Sequence, residues 1–366
     1  MRILLYLVTL TCLLALFSCQ TGNQRNLISD SAILQHIEPR YASGFDWKVC
    51  ADSSLLITLF DLNSPGDTLQ TIRWKRPAIQ GVACLSTTHI PYLSALNSLD
   101  VLKGTCFADR MMDPTAKQMH AQGEILNLSL GNELDEEILF SIKPDLLFVY
   151  PFGDKSYDRY LSQGIGCVQI SEYLEKHPLG RAEWIRLFGC LLNKQALADS
   201  LFQEIEVHYL ALRDSIAILS QNRPVVFAGS MDGDRWAVPA GNSYLATLIY
   251  DAGGSYLFSD SARTGNLVLP FETFYAAASR ADFWGKIVYE DSFHSSQQIT
   301  EGDDRLSQLP AFSGKGVFAC NTMQTDYHGK ALLEPYVLLS DLNAIFNRKN
   351  APMGFTYFQP WQHYDR

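Results

Sequence analysis

Hydrophobic and polar residues alternate along this chain in two patterns that predict two kinds of structure. Between residues 41 and 74, apolar and β-branched residues alternate with polar ones, and a turn sequence at residues 63–67 separates two such runs. This pattern predicts an antiparallel β-hairpin. From residue 77 onward, short and wholly apolar runs alternate with amphipathic stretches. That succession is typical of β-α-β units on parallel sheets whose two faces are both covered.

The segment 195–219 has the most regular helical pattern of the chain. A helix over this segment would be about 37 Å long, which is enough to connect two lobes. Pro224 prevents the helix from continuing, and the β/α pattern restarts directly after it. In this second half the pattern predicts a helix from about 243 to 251 and strands around 283–289 and 316–320. We therefore predict an α/β fold with two Rossmann-like lobes, each with a parallel sheet, joined by one long helix and preceded by the β-hairpin. The apolar residues that recur every three or four positions are Leu197, Leu201, Ile205, Tyr209, Leu212, Ile216 and Leu219.

The N-terminus predicts an export signal. Residues 1–18 contain one basic residue, Arg2, followed by an apolar run of about 15 residues, which is shorter than the roughly 20 that a membrane-spanning helix needs. Ser18 followed by Cys19 resembles the bacterial lipobox, in which the cysteine is acylated, although Phe17 stands where a small residue is usual. We expect Cys19 to carry a lipid. A simple cleaved signal or an uncleaved anchor is the alternative.

These patterns divide the chain into five parts, and a prior of about 150 residues per domain agrees with two lobes. The predicted parts are a signal peptide (1–18), a lipid tether with the β-hairpin (19–76), an N-terminal α/β lobe (77–180), connecting helices (181–222) and a C-terminal α/β lobe (223–366).

Composition narrows the class of protein. The chain has 366 residues, with 29 Lys and Arg against 39 Asp and Glu and a net charge of −10, which argues against a nucleic-acid partner. Hydrophobic residues make up 47% of the chain, so it can bury a large core. Disulfides and buried free thiols both remain open for the cysteines after Cys19. These cysteines are Cys50, Cys84, Cys106, Cys167, Cys190 and Cys320.

A ligand between two such lobes is expected to meet residues that directly follow the buried strands. Aromatic walls and a few polar groups suit a large flat or chelate ligand, and arginines suit an anionic one. Each of these residues could also be ordinary core or surface. The candidates after the strands are Thr87, Thr88, His89, Tyr92, Tyr150, Phe152 and the segment 230–236. The proposed ligand-binding set is His89, Tyr92, Arg110, Tyr150, Arg235, Trp236 and Tyr244.

Signals for catalysis and for bare metal ions are weak. None of the sequence motifs with known catalytic mechanics occurs, and a triad of His89, Ser230 and Asp109 would rest on residue types found near loops in almost any chain of this length. The histidines are scattered rather than clustered. His89 is the best single candidate for a metal ligand, and a hydrogen-bonding loop histidine is the alternative for it.

Four stretches resemble the periplasmic binding proteins of iron-complex and vitamin B12 ABC importers, the class with a single backbone helix. Together they cover roughly residues 80–346, in the order that two lobes require. Ala240 departs from the family pattern, in which a glycine is common beside Gly241. The stretches are residues 81–89, Glu137 with 142–147, residues 236–244 with 251–254, and 271–272 with 281–284.

The resemblance implies a transport function without catalysis. It implies an envelope lipoprotein in the periplasm that binds a metal chelate between its lobes, as a transported ligand rather than a cofactor, and delivers it to an ABC permease of the inner membrane. It further implies that Glu137 and Glu272, one on each lobe, dock onto arginines of that permease. A ferric siderophore or haem ranks first as the ligand, and a corrinoid follows closely. The alternatives are an envelope α/β hydrolase that uses the same cleft and an adhesive protein without a small ligand.

Overall fold

The structure is a computed structural model, and it describes residues 32–150, 157–220, 222–292, 295–314, 316–349 and 354–361. The predicted signal peptide (1–18), Cys19 and Phe152 lie outside the described residues. Within those ranges, no helix has both the length and the hydropathy that crossing a bilayer requires.

The N-terminal part forms an antiparallel sheet in the strand order β1-β2-β3-β4. The predicted hairpin is confirmed as β3 and β4, joined through residues 61–67, and two further strands extend it to four strands. Alternate residues of β3, from Leu55 to Leu59, are fully buried, because one face of the sheet packs on the rest of the protein. The strands are β1 (Ile33–Ile37), β2 (Phe45–Cys50), β3 (Leu55–Phe60) and β4 (Thr68–Trp74).

The first lobe contains a five-stranded parallel sheet in the order β11-β10-β5-β6-β7. β10 is buried at all four positions, as its wholly apolar sequence predicts. Its strands are β5 (Val82–Cys84), β6 (Leu102–Thr105), β7 (Leu126–Asn127), β10 (Leu146–Val149) and β11 (Gly166–Gln169), with a short ribbon of β8 (Ser129–Leu130) and β9 (Glu133–Leu134). Its helices are α1 (Ile90–Ala95), α2 (Pro114–Ala121), α3 (Glu136–Ile142) and α4 (Asp158–Ser162).

Two consecutive helices connect the lobes. The first, α5 (Pro178–Leu191), is buried along most of its length, and the second, α6, runs over Gln195–Leu219. The prediction of one continuous helix over 195–219 is confirmed. Its buried residues include Ile205, Tyr209 and Ile216, which belong to the apolar stripe that the sequence pattern identified.

The second lobe contains a sheet in the order β15-β12-β17-β18-β19, in which only β19 is antiparallel to its neighbour. This order differs from that of the first lobe, so the second half does not repeat the first strand for strand. A separate antiparallel sheet, β13-β14-β16, is also present. The strands are β12 (Val225–Ala228), β13 (Ser230–Asp232), β14 (Arg235–Pro239), β15 (Ser255–Tyr256), β16 (Asn266–Pro270), β17 (Phe283–Val288), β18 (Val317–Asn321) and β19 (Gln359–Pro360). The helices are α7 (Tyr244–Asp251), α8 (Phe271–Ala278), α9 (Ser296–Thr300), α10 (Pro310–Ser313) and α11 (Pro335–Phe346).

The cysteines after Cys19 are all buried and free. Burial raises the pKa of Cys190 and of Cys320 to about 12, so both remain thiols at neutral pH. The sequence left disulfides and buried free thiols open as alternatives, and in the structure these cysteines are buried free thiols.

Candidate functional site

A cavity of about 470 Å³ lies between the two lobes, and we call it the interlobe cleft. Residues that follow β5, β6 and β10 form its first-lobe wall, and residues that follow β17 and β18 form its second-lobe wall, as expected for the carboxyl ends of parallel strands. The polar and aromatic residues of the first-lobe wall include Ser86, Thr87, Thr88, Phe107, Arg110 and Tyr150. Those of the second-lobe wall include Tyr289, Thr322, Thr325, Asp326 and His328.

A tight 3-10 turn over Thr87–His89 presents hydroxyl groups to the first-lobe wall. The backbone N–H of Thr88 donates to Ser86 Oγ at 3.2 Å, and Thr88 Oγ1 donates to Glu172 Oε1 at 2.8 Å. Glu172 is buried, and its other carboxylate oxygen has no hydrogen-bond partner among the described residues. The turn therefore links the cleft surface to a buried carboxylate behind it.

Arg110 occupies the same wall next to an aromatic ring. Phe107 begins the 3-10 turn over Ala108–Arg110 with a left-handed backbone (φ 54°), and its N–H donates to Ser129 Oγ at 2.8 Å. The guanidinium of Arg110 lies 4.8 Å from the centroid of the Phe107 ring and has no carboxylate partner among the described residues. An exposed guanidinium held by an aromatic ring can meet a carboxylate or another anionic group of a ligand.

The loop after β18 builds the second-lobe wall through hydrogen bonds of its own. Thr325 Oγ1 donates to the carbonyl of Asn321 at 3.0 Å, and the N–H of Lys330 donates to Asp326 Oδ2 at 2.9 Å. A Cβ atom at position 329 would clash with the Asp326 carboxylate as it is placed, so this placement of the carboxylate depends on Gly329. These contacts fix the position of Asp326 at the cleft.

Desolvation shifts the protonation of two groups on this wall. Burial raises the pKa of Asp326, and the nearby Asp113 carboxylate of the first lobe raises it further. His328 reaches the cleft surface, where desolvation and the charge of Arg181 lower its pKa. The imidazole is therefore neutral at pH 7 and can accept a hydrogen bond or donate a lone pair.

Behind the cleft, an arginine joins the lobes. The guanidinium of Arg181 on α5 lies 3.8 Å from the centroid of the Tyr244 ring on α7, and it also donates to the carbonyl of Tyr173 at 2.8 Å. Tyr92 Oη donates to the carbonyl of Arg181 at 2.8 Å. Tyr92 and Tyr244 are thus buried at the junction of the lobes and are not among the residues that line the cleft.

Some of the other proposed ligand-binding residues line the cleft in the structure, and others do not. Arg110 and Tyr150 line the interlobe cleft. His89 is fully buried near Phe148, its ring nitrogens have no partner among the described residues, and burial lowers its pKa. A triad of His89, Ser230 and Asp109 is not formed, because His89 bonds to neither residue, so the hydrolase alternative has no support.

Two further candidates lie away from the cleft in the second lobe. Trp236 is fully buried and stacks on Phe274 with ring centroids 4.0 Å apart. Arg235 is exposed and donates to the carbonyl of Val268 at 2.9 Å. Neither residue lines the cleft, because both belong to β14 of the separate antiparallel sheet, which the sequence pattern did not distinguish from a loop after β12.

The residues of the second-lobe wall between 322 and 329 were not among those that the sequence predicted for the site. No motif marks this segment. Its position was nevertheless informative, since it follows directly after the predicted strand at 316–320, which the structure confirms as β18 (Val317–Asn321). The rule that ligands meet the carboxyl ends of parallel strands would have identified it.

The two predicted docking residues both lie in the first turn of a helix. Glu137 is exposed in the first turn of α3, and Glu272 is exposed in the first turn of α8, where Arg305 pairs with it at 3.2 Å. A carboxylate in a first helical turn is favoured by the helix dipole. Both positions are open to a partner.

The described residues contain no group of three or more His, Cys, Asp and Glu side chains arranged to hold a metal ion. The interlobe cleft instead combines hydroxyl, aromatic, guanidinium and imidazole groups.

A sequence profile of the periplasmic binding protein family matches residues 82–319. This chain is a member of the periplasmic binding protein family. The resemblance found in the sequence is confirmed, and the profile covers the first lobe, the connecting helices and the second lobe as far as residue 319, but not the N-terminal sheet.

A curated relative of this periplasmic binding protein is described as an uncharacterized lipoprotein of Methanocaldococcus jannaschii. The two are 29% identical over 277 residues, which cover 73% of this chain and 64% of that protein. The chain thus spans less than two thirds of the length of this relative.

Solved structures share the fold of this periplasmic binding protein at low sequence identity. A periplasmic binding protein from Veillonella parvula is 15% identical with a TM-score of 0.64, covering 81% of this chain and 99% of that one. A periplasmic haem-binding protein from Pseudomonas aeruginosa is 16% identical with a TM-score of 0.57, covering 78% and 96%. An ABC-type Fe³⁺-hydroxamate transport system from Saccharomonospora viridis is 12% identical with a TM-score of 0.57, covering 78% and 98%.

Proposed function

We propose that this protein is an envelope lipoprotein that binds an iron chelate in the interlobe cleft and delivers it to an ABC permease. The observation that carries the proposal is the cleft itself, a cavity of about 470 Å³ with directed polar groups from both lobes. That volume suits an organic ligand of drug size and is far larger than a single ion needs. Haem or a ferric siderophore ranks first, and a corrinoid follows closely. Solved structures with this fold are described as haem-binding or Fe³⁺-hydroxamate transport proteins.

Arg110 and His328 are the two residues of the interlobe cleft that we expect to select one class of chelate over another. The guanidinium of Arg110 is free to pair with a carboxylate or hydroxamate oxygen of the chelate. The neutral imidazole of His328 faces it from the other lobe. The hydroxyl groups of Thr88, Thr322 and Thr325 donate within the protein, and their oxygens can accept hydrogen bonds from the ligand at the polar rim of the cleft.

Binding is tested by thermal unfolding of the mature protein with haemin, cobalamin and several ferric siderophores. A ligand at 100 times its dissociation constant stabilises the protein by about 2.7 kcal/mol, and we expect one chelate class to do so. We expect Arg110→Ala to weaken that ligand by about 10-fold to 100-fold, because a charge-assisted hydrogen bond is worth about 1.5–3 kcal/mol. The control is Arg235→Ala, which removes an exposed arginine away from the cleft and leaves the affinity unchanged.

Two results would contradict this proposal. One is an absence of stabilisation by every chelate of the panel. The other is an equal loss of affinity in the Arg110 and Arg235 variants, which would place the ligand outside the interlobe cleft.

We further infer that Glu137 and Glu272 dock onto a membrane permease. Each is an exposed carboxylate in the first turn of a helix, one on each lobe. Surface ion pairs of this kind contribute more to orientation and association rate than to affinity. Charge reversal at both positions should impair the stimulation of permease ATPase activity while chelate affinity stays the same. Reversal of two other exposed carboxylates, Asp67 and Glu124, serves as the control, and normal stimulation by the Glu137 and Glu272 variant would refute the docking role.

The lipid anchor at Cys19 remains part of the proposal. The curated relative is described as a lipoprotein, and Cys19 follows an apolar export segment. Mass spectrometry of the protein purified from membranes should show an acylated N-terminal cysteine, and Cys19→Ser should release the protein from the membrane fraction. Equal membrane retention of both forms would argue for an uncleaved anchor instead.

A further inference from the structure

A second cavity lies between the lobes, on the side of the connecting helix α6. It has a volume of about 520 Å³, and we call it the back cavity. Pro91, Met112, Asp113 and Asp326 line both the back cavity and the interlobe cleft, so the two spaces adjoin at these residues. None of the residues proposed above to bind the chelate, Arg110 and His328 included, lines the back cavity.

The body of the back cavity is apolar and is built by both lobes. α1 contributes Ala95, α5 contributes Ile185, and α6 contributes Leu201 and Ile205. From the second lobe, Leu333 and the ring of Tyr336 complete the lining. The Tyr336 ring is held edge-on by His208 of α6, with centroids 5.4 Å apart. The space therefore suits an apolar group of drug size.

The charges around this apolar body are mainly negative. Four carboxylates line the cavity, namely Asp113, Glu204, Asp326 and Glu334. The only Lys or Arg side chain among the described lining residues is Lys330, and it pairs with Glu334 at 2.8 Å. The carboxylates of Asp113, Glu204 and Asp326 form no ion pair with Lys, Arg or His in the described part of the chain.

The surroundings of Asp326 agree with this excess of negative charge. Its pKa is raised by burial and further by the carboxylates of Asp113 and Glu334, although the N–H and the charge of Lys330 act in the opposite direction. A bound cation would reduce the electrostatic repulsion between Asp326 and the neighbouring carboxylates. An apolar space bordered by unpaired carboxylates is complementary to a molecule with an apolar body and one cationic group.

We propose that the back cavity is a second ligand site, distinct from the chelate site, which binds an amphipathic organic cation such as an aryl-alkyl amine. The amine lies toward the carboxylates of Glu204 and Asp326, and the apolar body packs on Leu201, Ile205 and Leu333. The occupant contacts both lobes and the connecting helix at once.

The test measures direct binding to the mature protein by isothermal titration calorimetry at pH 7.5 and low ionic strength. The probes are 4-phenylbutylamine and its neutral analogue 4-phenylbutanol, which share the apolar body. We expect the amine to bind at least 10-fold more tightly than the alcohol. Glu204→Gln removes an exposed carboxylate of the cavity, and we expect it to lower amine affinity by about 5-fold to 10-fold while alcohol binding stays the same.

Two further variants locate the site. Asp214→Asn removes an exposed carboxylate of the same helix that does not line the cavity, and it should leave amine binding unchanged. Ala95→Phe fills the apolar body and should abolish binding of both probes. Equal affinities for amine and alcohol, or equal effects of Glu204→Gln and Asp214→Asn, would overturn the proposal. No chelate is present in these experiments, so their failure leaves the proposed chelate transport untouched.

Discussion

The first lobe has two boundaries that are built in opposite ways. Toward the N-terminal sheet, three buried carboxylates bind the segment Arg40–Gly44 through short contacts: Glu175 just before α5, Glu183 on α5 and Glu206 on α6. Glu183 accepts the N–H groups of Arg40, Tyr41 and Ala42 at 2.7–3.0 Å. Glu175 accepts the N–H groups of Ser43 and Gly44 at 2.9 Å, and Tyr41 Oη donates to Glu206 at 2.8 Å.

Toward the second lobe, two cavities of about 470 and 520 Å³ open at the boundary. The cation–π contact of Arg181 with Tyr244 and the bond from Tyr209 Oη to Asp251 at 2.6 Å join the lobes there. A smaller cavity of about 290 Å³ borders the N-terminal sheet. The N-terminal sheet is therefore fixed to the first lobe and the connecting helices, whereas the boundary between the lobes keeps the space in which ligands can bind.

The largest loss of stability is expected at the boundary between the N-terminal sheet and the connecting helices. Glu183 is fully buried and also pairs with Arg186 at 2.9 Å. We expect Glu183→Ala to lower the free energy of unfolding by about 3–5 kcal/mol, because it leaves N–H groups of the segment Arg40–Ala42 without their acceptor and removes one of the two carboxylates that pair with Arg186. Urea denaturation measures the loss. The control is Glu206→Ala, whose arginine partner Arg40 is largely exposed, and we expect it to cost about 1–2 kcal/mol. Equal losses in both variants would mean that burial does not set the strength of this boundary.

A smaller effect is expected where the two lobes meet. Tyr244→Leu removes the buried ring under Arg181 and should cost about 2 kcal/mol. Its matched control is Tyr250→Leu, because Tyr250 is exposed and the Arg223 guanidinium lies 4.1 Å from its ring centroid. We expect about 0.5 kcal/mol for this second variant. If the exposed pair proved as costly as the buried one in chemical denaturation, the Arg181 contact would not hold the lobes together.

His177 lies near both boundaries and should make stability depend on pH. Its Nδ1 accepts the N–H of Leu179 at the start of α5, and its ring lies 5.1 Å from Tyr41 and 6.1 Å from Tyr209. Burial lowers its pKa below the ordinary 6.5. The folded protein therefore binds fewer protons than the unfolded chain near pH 6, and this group's contribution to stability decreases as the pH falls below about 6.5.

The variant His177→Asn keeps an N-cap side chain without a titrating group. We expect its free energy of unfolding, relative to that of the wild type, to rise as the pH is lowered from 8 to 5. Urea unfolding across this range measures the difference. A constant difference over the whole range would show that His177 does not titrate on unfolding.

The smallest effect is expected at a site remote from both boundaries. The side chains of Glu272 and Arg305 are 82% and 55% exposed. Glu272→Gln should therefore change the free energy of unfolding by less than about 0.5 kcal/mol. A larger change in thermal or urea unfolding would show that exposed ion pairs stabilise this protein as strongly as the contacts at the boundaries. It would also make Glu272 unsuitable for the docking test.

The sequence predicted the elements well where one periodic pattern covered a whole element. α6 begins and ends at the predicted residues, and α7 begins one residue after the predicted start. The predicted strand at 283–289 is β17 (Phe283–Val288). The patterns did not separate the three-stranded sheet around Trp236 from a loop, because alternation in short antiparallel strands resembles that of an irregular exposed segment.

The candidate site was predicted less completely. Arg110 and Tyr150 line the cleft, while His89, Tyr92 and Trp236 are buried in the core. The position of a residue after a strand indicates the edge of the sheet on which it lies. It does not indicate whether the side chain points into the hydrophobic core or into the cleft. The wall around Asp326 and His328 carries no motif, and it depends on the contact of Gly329 with the Asp326 carboxylate.

By itself, the sequence determined the α/β class, the long connecting helix and the family, because these follow from periodicity and from motifs within short stretches of chain. The tertiary structure alone decided which carboxylates hold the N-terminal sheet, which residues face the interlobe cleft and where the back cavity lies. Each of these features joins residues that are far apart in the chain, such as Asp113 with Asp326. Such pairs depend on how the two lobes pack, and no local pattern of side chains specifies that packing.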